Sequence, residues 1–325
     1  MKLYFAPLEG ITDAAYISAH KALFPGINKY FTPFISVSEG FNLSKKEDSL
    51  IAFAAGHPDI CAVQLLGKDA SAIRQAVLKL SQLGINDVNL NLGCPSGTVT
   101  AKGKGSGLLR EPDKLSRLLD GLFAAPLPAS VSVKTRIGYD SPDEWPKLSE
   151  ILFSYPFSEI IIHARVRSQF YKGICRKEIL SSLPPADIPV IYNGDVFTPS
   201  EANELMSLHK PPEGIMLGRG IVANPALAEE ILGLGMLDKA RLKRFTGALL
   251  AVFSQTMPFN ALHGRMCEIF SYMGMTLSGS KKHLKRLRKA KTLREYEDIS
   301  ECMFDELELS LHPYFDPLSL SDSGS

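Results

Sequence analysis

The 325-residue chain has few cysteines, and they are not spaced as a disulfide or metal framework requires. The five are scattered without one Cys-x-x-Cys pair, at Cys61, Cys94, Cys175, Cys267 and Cys302. An odd and dispersed set argues against a disulfide framework and against a cysteine-rich zinc or iron–sulfur site. The pattern indicates a protein of a reducing compartment.

Long hydrophobic runs and an excess of one charge are also absent. No stretch approaches the roughly 18 apolar residues of a transmembrane helix, and the apolar run in residues 1–9 is too short for a signal peptide. Lys and Arg number 36 against 35 Asp and Glu, a net charge of +1. This balance excludes a wholly basic nucleic-acid binder but allows a local basic patch. We therefore expect a cytoplasmic protein that does not contact a membrane.

Short apolar segments alternate with amphipathic helical patterns such as 70–83 and 112–123. The segments predict eight strands, at 3–8, 29–36, 60–66, 85–92, 131–136, 159–164, 189–193 and 214–218. This alternation is typical of a parallel sheet covered on both faces, and eight units predict an α/β fold of the (β/α)8, or TIM, barrel type. The competing doubly wound open sheet lacks support, because no Gly-x-Gly-x-x-Gly follows the first strand.

After residue 237 the sequence has no convincing strand. Four helices are predicted instead, at 239–253, 261–272, 279–291 and 293–309. We predict a barrel domain over residues 1–237, a C-terminal helical bundle domain over 238–315 and a disordered tail over 316–325.

The most informative segment is 89–96, where a predicted strand runs into a turn that displays Cys94. The carboxyl ends of parallel strands carry the active sites of such folds. The next loop contains Gly103, Gly105 and Gly107, so we expect it to open and close over a substrate. A buried structural cysteine is the alternative interpretation.

The other strand ends carry polar residues of distinct types. Lys134 faces inward from an apolar strand, so it needs an anionic partner or a depressed pKa. It is a Schiff-base lysine, a cation beside an anionic cofactor ring, or a lysine at the barrel rim. Glycine-containing turns at 193–195 and 218–220 are typical of the phosphate site of these barrels. His163 has neither carboxylates nor further histidines around it in the pattern, so we predict no metal.

Seven segments, in order from residue 6 to about 225, resemble those of the tRNA-dihydrouridine synthases, flavin-dependent barrel enzymes that reduce uridines in tRNA. They are 6–13, 63–67, 89–95, 133–138, 162–165 with 169–173, 193–195 and 217–220. The chain departs from the family pattern at three places. A frequent Lys-x-Val-Asn is Gly97-Thr98-Val99-Thr100 here, His-Gly-Arg is His163-Ala164-Arg165, and a frequent tryptophan is Tyr139.

The resemblance implies non-covalent FMN and a role for each matching residue. The residues implied to bind the cofactor are Ala6, Pro7, Leu8, Gln64, Lys134, His163, Asn193, Gly194, Asp195, Gly218 and Arg219. Cys94 is implied to be the proton donor, and Asn91 and Tyr171 are implied to contact the target uracil. Arg136 and Arg165, at the ends of two further predicted strands, are also predicted to bind substrate.

The chemistry fits these residue types. Reducing the 5,6 double bond of uracil needs a hydride at C6, which reduced FMN can deliver, and a proton at C5, which a thiol can give. NADPH is expected to visit transiently as reductant, because no dinucleotide fingerprint is present. The uracil must leave its base stack to enter a barrel mouth, so base flipping is implied.

The predicted third C-terminal helix is strongly basic, with eight cations and no acid from Gly279 to Arg294. The residues assigned to tRNA are Lys281, Lys282, Lys285, Arg286, Arg288 and Lys289. Leu284, Leu287 and Ala290 leave only a narrow apolar stripe, so the far face is free to track phosphates. A solvated charged face is the other interpretation. We expect a monomer that binds tRNA.

Two alternatives stay open at this point. One is a flavin barrel enzyme that acts on a free pyrimidine, as a dihydroorotate dehydrogenase does, although it gives no reason for the basic helix. The other is an RNA-binding relative that has lost flavin and activity, with the departures around Thr100 as its mark.

Overall fold

The computed structural model describes residues 1–41 and 43–310, so the tail predicted over 316–325 lies outside the described residues. The chain forms two compact units. The first comprises Met1–Pro7, Asn28–Gly194 and Asn203–Leu217, and the second comprises Leu8–Ile27, Asp195–Ala202 and the chain from Gly218 onwards. The domain boundary at residue 237 stays a prediction.

The first unit is built on a parallel sheet. Its strands are β1 (Lys2–Phe5), β2 (Lys29–Phe31), β3 (Ile35–Ser36), β4 (Cys61–Leu66), β5 (Asp87–Leu92), β6 (Ser130–Arg136), β7 (Ile160–His163), β8 (Val190–Asn193) and β9 (Gly214–Leu217). They are ordered β2-β1-β9-β8-β7-β6-β5-β4-β3, and a further pairing of β2 with β4 closes the ring. The predicted (β/α)8 barrel is confirmed.

The predicted second strand is interrupted. Thr32 still donates its backbone N–H to Ala62, and Val37 donates to Leu66, so both halves pair with β4. Pro33 lies between them and has no N–H to donate, which explains why the ladder breaks there. β2 and β3 together therefore form one of the eight strands of the barrel.

Helices connect the strands of the first unit and make up most of the second. The helices of the first unit are α2 (Lys45–Ala55), α3 (Ala70–Gln82), α4 (Gly97–Thr100), α5 (Pro112–Leu122) and α6 (Trp145–Phe153), while α1 (Ala14–Leu23) belongs to the second unit and α7 (Pro199–Met206) has residues in both. The remaining helices of the second unit are α8 (Arg219–Ala223), α9 (Leu227–Leu232), α10 (Lys239–Thr256), α11 (Phe259–Met273), α12 (Lys281–Leu287) and α13 (Leu293–Glu306).

The core of the second unit contains an aromatic cluster between α1 and α10. The Phe245 ring meets Tyr16 and Phe24 edge to face, with centroids 5.3 and 5.5 Å apart, an arrangement that favours packing beyond area alone. His20 is buried in this cluster and its Nε2 lies 2.9 Å from the Pro225 carbonyl. Burial lowers the pKa of His20 to about 3, so this imidazole is a neutral packing residue.

Within residues 1–41 and 43–310, no helix combines the length and the apolar character that crossing a membrane would require.

Candidate active site

A ladder of amide side chains lines the carboxyl ends of β4 and β5 in the first unit. The Gln64 amide nitrogen donates to Asn89 Oδ1 at 2.8 Å, and the Asn91 amide nitrogen donates to Gln64 Oε1 at 2.7 Å. Asn89 donates onward to Ser132 Oγ on β6 at 2.8 Å. Because all four groups are buried and bonded to one another, their orientations are fixed before any ligand arrives.

The ladder also fixes the turn that carries Cys94. Asn91 Oδ1 accepts the backbone N–H groups of Gly93 and Cys94, at 3.0 and 2.9 Å. On the other side, Ser106 Oγ donates to the Cys94 carbonyl at 2.7 Å. The Cys94 side chain is half-buried and forms no disulfide. The turn thus presents a reduced thiol from a rigid backbone.

The loop expected to be mobile packs against this turn. Gly105 has φ of +56°, and a Cβ there would lie 3.1 Å from the Cβ of Cys94. The residue is therefore glycine both for its backbone conformation and for close approach. The opening and closing of this loop stays a prediction.

Lys134 lies on β6 in register with Asn91, one strand away from the Cys94 turn. Among the described residues Lys134 makes no ion pair, and it lies close enough to a second cation, Arg136, to be repelled by it. Desolvation of its ammonium, with a smaller contribution from Arg136, lowers the pKa of Lys134 to about 7. A half-buried lysine whose ammonium is desolvated and has no carboxylate partner fits an anionic or electron-rich ring.

His163 ends β7 and is in register with Arg136 on one side and Asn193 on the other. Asn193 is buried and donates its amide to the Met216 carbonyl at 2.8 Å. The exposed Tyr171 ring lies 6.2 Å from the His163 ring, centroid to centroid. The structure therefore brings six of the predicted site residues to one end of one barrel: Gln64, Asn91, Cys94, Lys134, His163 and Asn193.

Arg136 and Arg165 differ from the surface cations that a substrate contact would suggest, because both are buried. Arg136 donates from Nε to the Gly93 carbonyl and from Nη1 to the Val166 carbonyl, at 3.0 and 2.9 Å. Arg165 donates to the carbonyls of Lys172 and Gly173, at 3.1 and 2.5 Å. Their contact with substrate stays a prediction, whereas their bonds to the backbone order two loops of the site.

Sequence reasoning missed Arg167. It donates to the Pro95 carbonyl at 3.1 Å and to Thr100 Oγ1 at 3.4 Å, and its guanidinium lies 4.9 Å from the centre of the Phe170 ring. It therefore joins the loop after β7 to the loop of Cys94. The available signal was a second cation two residues after Arg165, in a segment that contains no acid.

The remaining predicted cofactor residues belong to different units. Ala6 and Pro7 follow β1 and belong to the first unit, where the Ala6 backbone N–H donates to the Leu217 carbonyl. Gly194 also belongs to the first unit, and the next residue, Asp195, belongs to the second. Leu8, Asp195, Gly218 and Arg219 lie in the second unit, and there Arg219 pairs with Asp195 at 2.5 Å. The phosphate contacts assigned to these turns stay predictions.

In the second unit, the basic segment forms a shorter helix than predicted, α12, followed by a turn. Two residues of its predicted apolar stripe, Leu287 and Ala290, are buried, and the third, Leu284, is half-buried; His283 is buried as well. The six predicted tRNA contacts are all exposed: Lys281, Lys282, Lys285, Arg286, Arg288 and Lys289.

One group in this unit bears on the expectation of no metal, which stays a prediction. His283, Cys302 and Glu306 each place a ligand atom within 4.8 Å of the others. Glu306 is hydrogen-bonded to His283 Nε2 at 3.0 Å and to Cys302 Sγ at 2.9 Å, and so links α12 to α13.

Comparison with known proteins decides the family. The family model for dihydrouridine synthase matches residues 4–310. The chain belongs to the dihydrouridine synthase family. It is thus a flavin-dependent oxidoreductase that forms dihydrouridine, and this favours the main interpretation over an enzyme of free pyrimidines and over an inactive relative.

Individual dihydrouridine synthases are similar over most of their length. A probable tRNA-dihydrouridine synthase of Staphylococcus aureus is 30% identical over 236 residues, 69% of this chain and 70% of the relative. The tRNA-dihydrouridine(16) synthase of Pseudomonas putida is 30% identical over 241 residues, 71% and 73% of the two chains. Morphinone reductase has a similar fold, with a TM-score of 0.50 at 12% identity over 73% of this chain and 87% of its own.

Proposed function

We propose that this dihydrouridine synthase reduces uridines of tRNA with FMN as its bound flavin and NADPH as reductant. The observation that carries the proposal is the register of β5 with β6, which places Asn91 beside Lys134 and so sets a desolvated cation next to the turn of Cys94. Both named relatives act on tRNA by their names, which supports tRNA as the substrate.

The residues present fit a flavin ring. Lys134 would hold its electron-rich pyrimidine end, since the ammonium is desolvated and makes no ion pair among the described residues. Gln64 would contact the same end, with His163 and Asn193 at the neighbouring strand ends. When bound, the flavin would supply the hydride that uracil receives at C6.

Cys94 would supply the proton. A cysteine thiol ordinarily keeps its proton near neutral pH, and the rigid turn holds the Cys94 backbone in one place, as a general acid requires. The proton goes from Sγ to C5 of uracil, and the thiolate regains one from solvent. Asn91 and Tyr171 are proposed to orient the uracil, while the backbone bonds of Arg136 hold Gly93 beside Cys94.

Turnover with defined components tests the proposal. Purified protein should contain FMN, oxidise NADPH, and form dihydrouridine in tRNA isolated from cells that lack the enzyme. Mass spectrometry would identify the flavin, and mapping all tRNA uridines, position 16 included, would identify the product. Protein that reduces a free pyrimidine but leaves tRNA unchanged would refute tRNA as the substrate.

A further inference from the structure

Hydrogen bonds fix the loop that follows β7. We name residues 166–175 the tip loop. Buried Arg165 donates to two of its carbonyls, those of Lys172 and Gly173, at 3.1 and 2.5 Å. Within the loop, the side-chain oxygen of Gln169 accepts the first backbone N–H at 3.0 Å. Three hydrogen bonds thus order the backbone of the tip loop.

This ordered loop presents apolar side chains to water. Ile174 is 84% exposed, more than any other large apolar side chain among the described residues, and Phe170 and Tyr171 are also exposed. Phe170 has φ of +51°, a left-handed conformation that non-glycine residues rarely adopt. Strain of this kind clusters at functional sites.

The tip loop lies beside the Cys94 turn and carries positive charge. Arg167 bonds to the carbonyl of Pro95, the residue directly after Cys94, and the Tyr171 ring lies 6.2 Å from His163. Within residues 166–175 the sequence has two cations, Arg167 and Lys172, and no acid. An exposed apolar tip flanked by cations is complementary to stacked bases flanked by phosphates.

We propose that Ile174 inserts into the base stack of the RNA and fills the gap left by the flipped uridine. The inference rests on the proposed function, since only an RNA substrate has a stack to open. A wedge must be apolar, exposed and carried on a backbone that does not yield, and Ile174 meets all three conditions. Unstacking a base costs free energy, and a wedge offsets this cost by making new contacts with the bases that remain.

The test compares Ile174→Ala with Met236→Ala, a control at a side chain that is 79% exposed in the second unit. The substrate is tRNA with 2-aminopurine beside the mapped uridine, whose fluorescence rises when stacking is lost. Ile174→Ala should lower kcat/KM for dihydrouridine formation by roughly tenfold and reduce the fluorescence rise. Flavin content and NADPH oxidation should match the wild type, and Ile174→Met should restore most activity.

Equal activity and equal fluorescence in Ile174→Ala and wild type would overturn the wedge. So would a change of oligomeric state in sedimentation, because Ile174 would then be covered by a second copy of the chain. A wild-type protein that forms no dihydrouridine in tRNA would instead remove the proposed function, and the wedge with it.

Discussion

Lys134 lies on β6 and Cys94 follows the neighbouring strand β5, but their surroundings suit them to different tasks. Lys134 is a cation that burial pushes toward neutrality, whereas Cys94 is a half-buried thiol on a turn that hydrogen bonds hold from both sides. The first is therefore sensitive to a ligand that supplies negative charge, and the second is placed to donate a proton.

Flavin binding should depend on pH through Lys134. In the free protein the pKa of this residue is about 7, so it is mostly neutral at higher pH. If the flavin binds the ammonium form, Lys134 must take up a proton when flavin binds above pH 7. The affinity of the protein for flavin should therefore fall above pH 7 by up to about tenfold per pH unit. Fluorescence titration with FMN from pH 7 to 9 measures this, and Lys134→Met should bind weakly without that slope. A flat wild-type profile would contradict the assignment.

Without flavin, the same residue predicts a stability effect of opposite sign. The folded pKa of about 7 lies below the ordinary lysine value of about 10.4, so the unfolded chain binds more protons between the two. Lys134 should therefore make the flavin-free protein more stable as pH rises through this window. Urea unfolding of flavin-free wild type and Lys134→Met at pH 7 and 9 compares the two pH dependences. Wild type should gain more stability than the variant, and an identical change in both would show that Lys134 is not desolvated in the folded state.

Cys94→Ala should separate the two halves of the reaction. Flavin content and NADPH oxidation should stay near wild type, because the thiol is needed only for protonation at C5. Dihydrouridine formation should fall by at least about a hundredfold, the lower range for a general acid. Cys302→Ala, at a half-buried thiol of the second unit, is the control and should keep full activity. Wild-type product formation by Cys94→Ala would require another donor.

At the level of elements, ion pairs between side chains link several strands at the amino end of the barrel. Lys29 at the start of β2 pairs with Asp87 at 2.5 Å and Glu159 at 3.0 Å, and Tyr4 of β1 donates to Glu159 at 2.7 Å. These residues lie on, or directly before, four different strands of the barrel, β1, β2, β5 and β7. This end of a barrel serves stability, whereas the other end serves chemistry.

Glu159→Gln should therefore destabilise the fold without changing the chemistry. Removing one charge of a largely buried pair leaves its partner less compensated, and we expect a loss of about 3 kcal/mol in the free energy of unfolding. This is the low end of the usual range, because Asp87 still faces Lys29. Glu178→Gln, which breaks an exposed pair with Arg176, should cost less than about 1 kcal/mol. Urea unfolding measures the free energy of unfolding of both variants. If both variants lost the same amount, the buried ion pairs of Lys29 would not stabilise the barrel more than an exposed pair does.

Sequence reasoning could predict the barrel because apolar strands and helices alternate with a clear period. It could not predict the break between β2 and β3, since a proline interrupts a ladder only where the neighbouring strand would accept its N–H. Nor could it distinguish Arg136 and Arg165, which bond to carbonyls inside the fold, from cations that face a substrate. The role of Arg167 could not be predicted either, because its hydrogen-bond partners, Pro95 and Thr100, are distant in sequence.

For the whole molecule, a net charge of +1 gives no general attraction to a polyanion. Any electrostatic affinity for tRNA must come from local patches, and the exposed cations of α12 and the turn after it are the densest run of one sign. Within the described residues, Lys285, Arg288 and Lys289 form no ion pair that would neutralise them.

Replacing Lys285, Arg286, Arg288 and Lys289 with glutamine should therefore weaken tRNA binding and reduce its salt dependence. Each phosphate contact that the substitutions remove should lower the slope of log affinity against log salt by up to about 0.9, the duplex DNA value. The control replaces four exposed cations elsewhere, Lys21, Arg117, Lys147 and Lys210. Filter binding from low to moderate salt measures both variants, with flavin content and NADPH oxidation unchanged in each. A quadruple variant of α12 that keeps the wild-type slope would show that this run is only a solvated face, since counterion release requires the removed charges to have met phosphates.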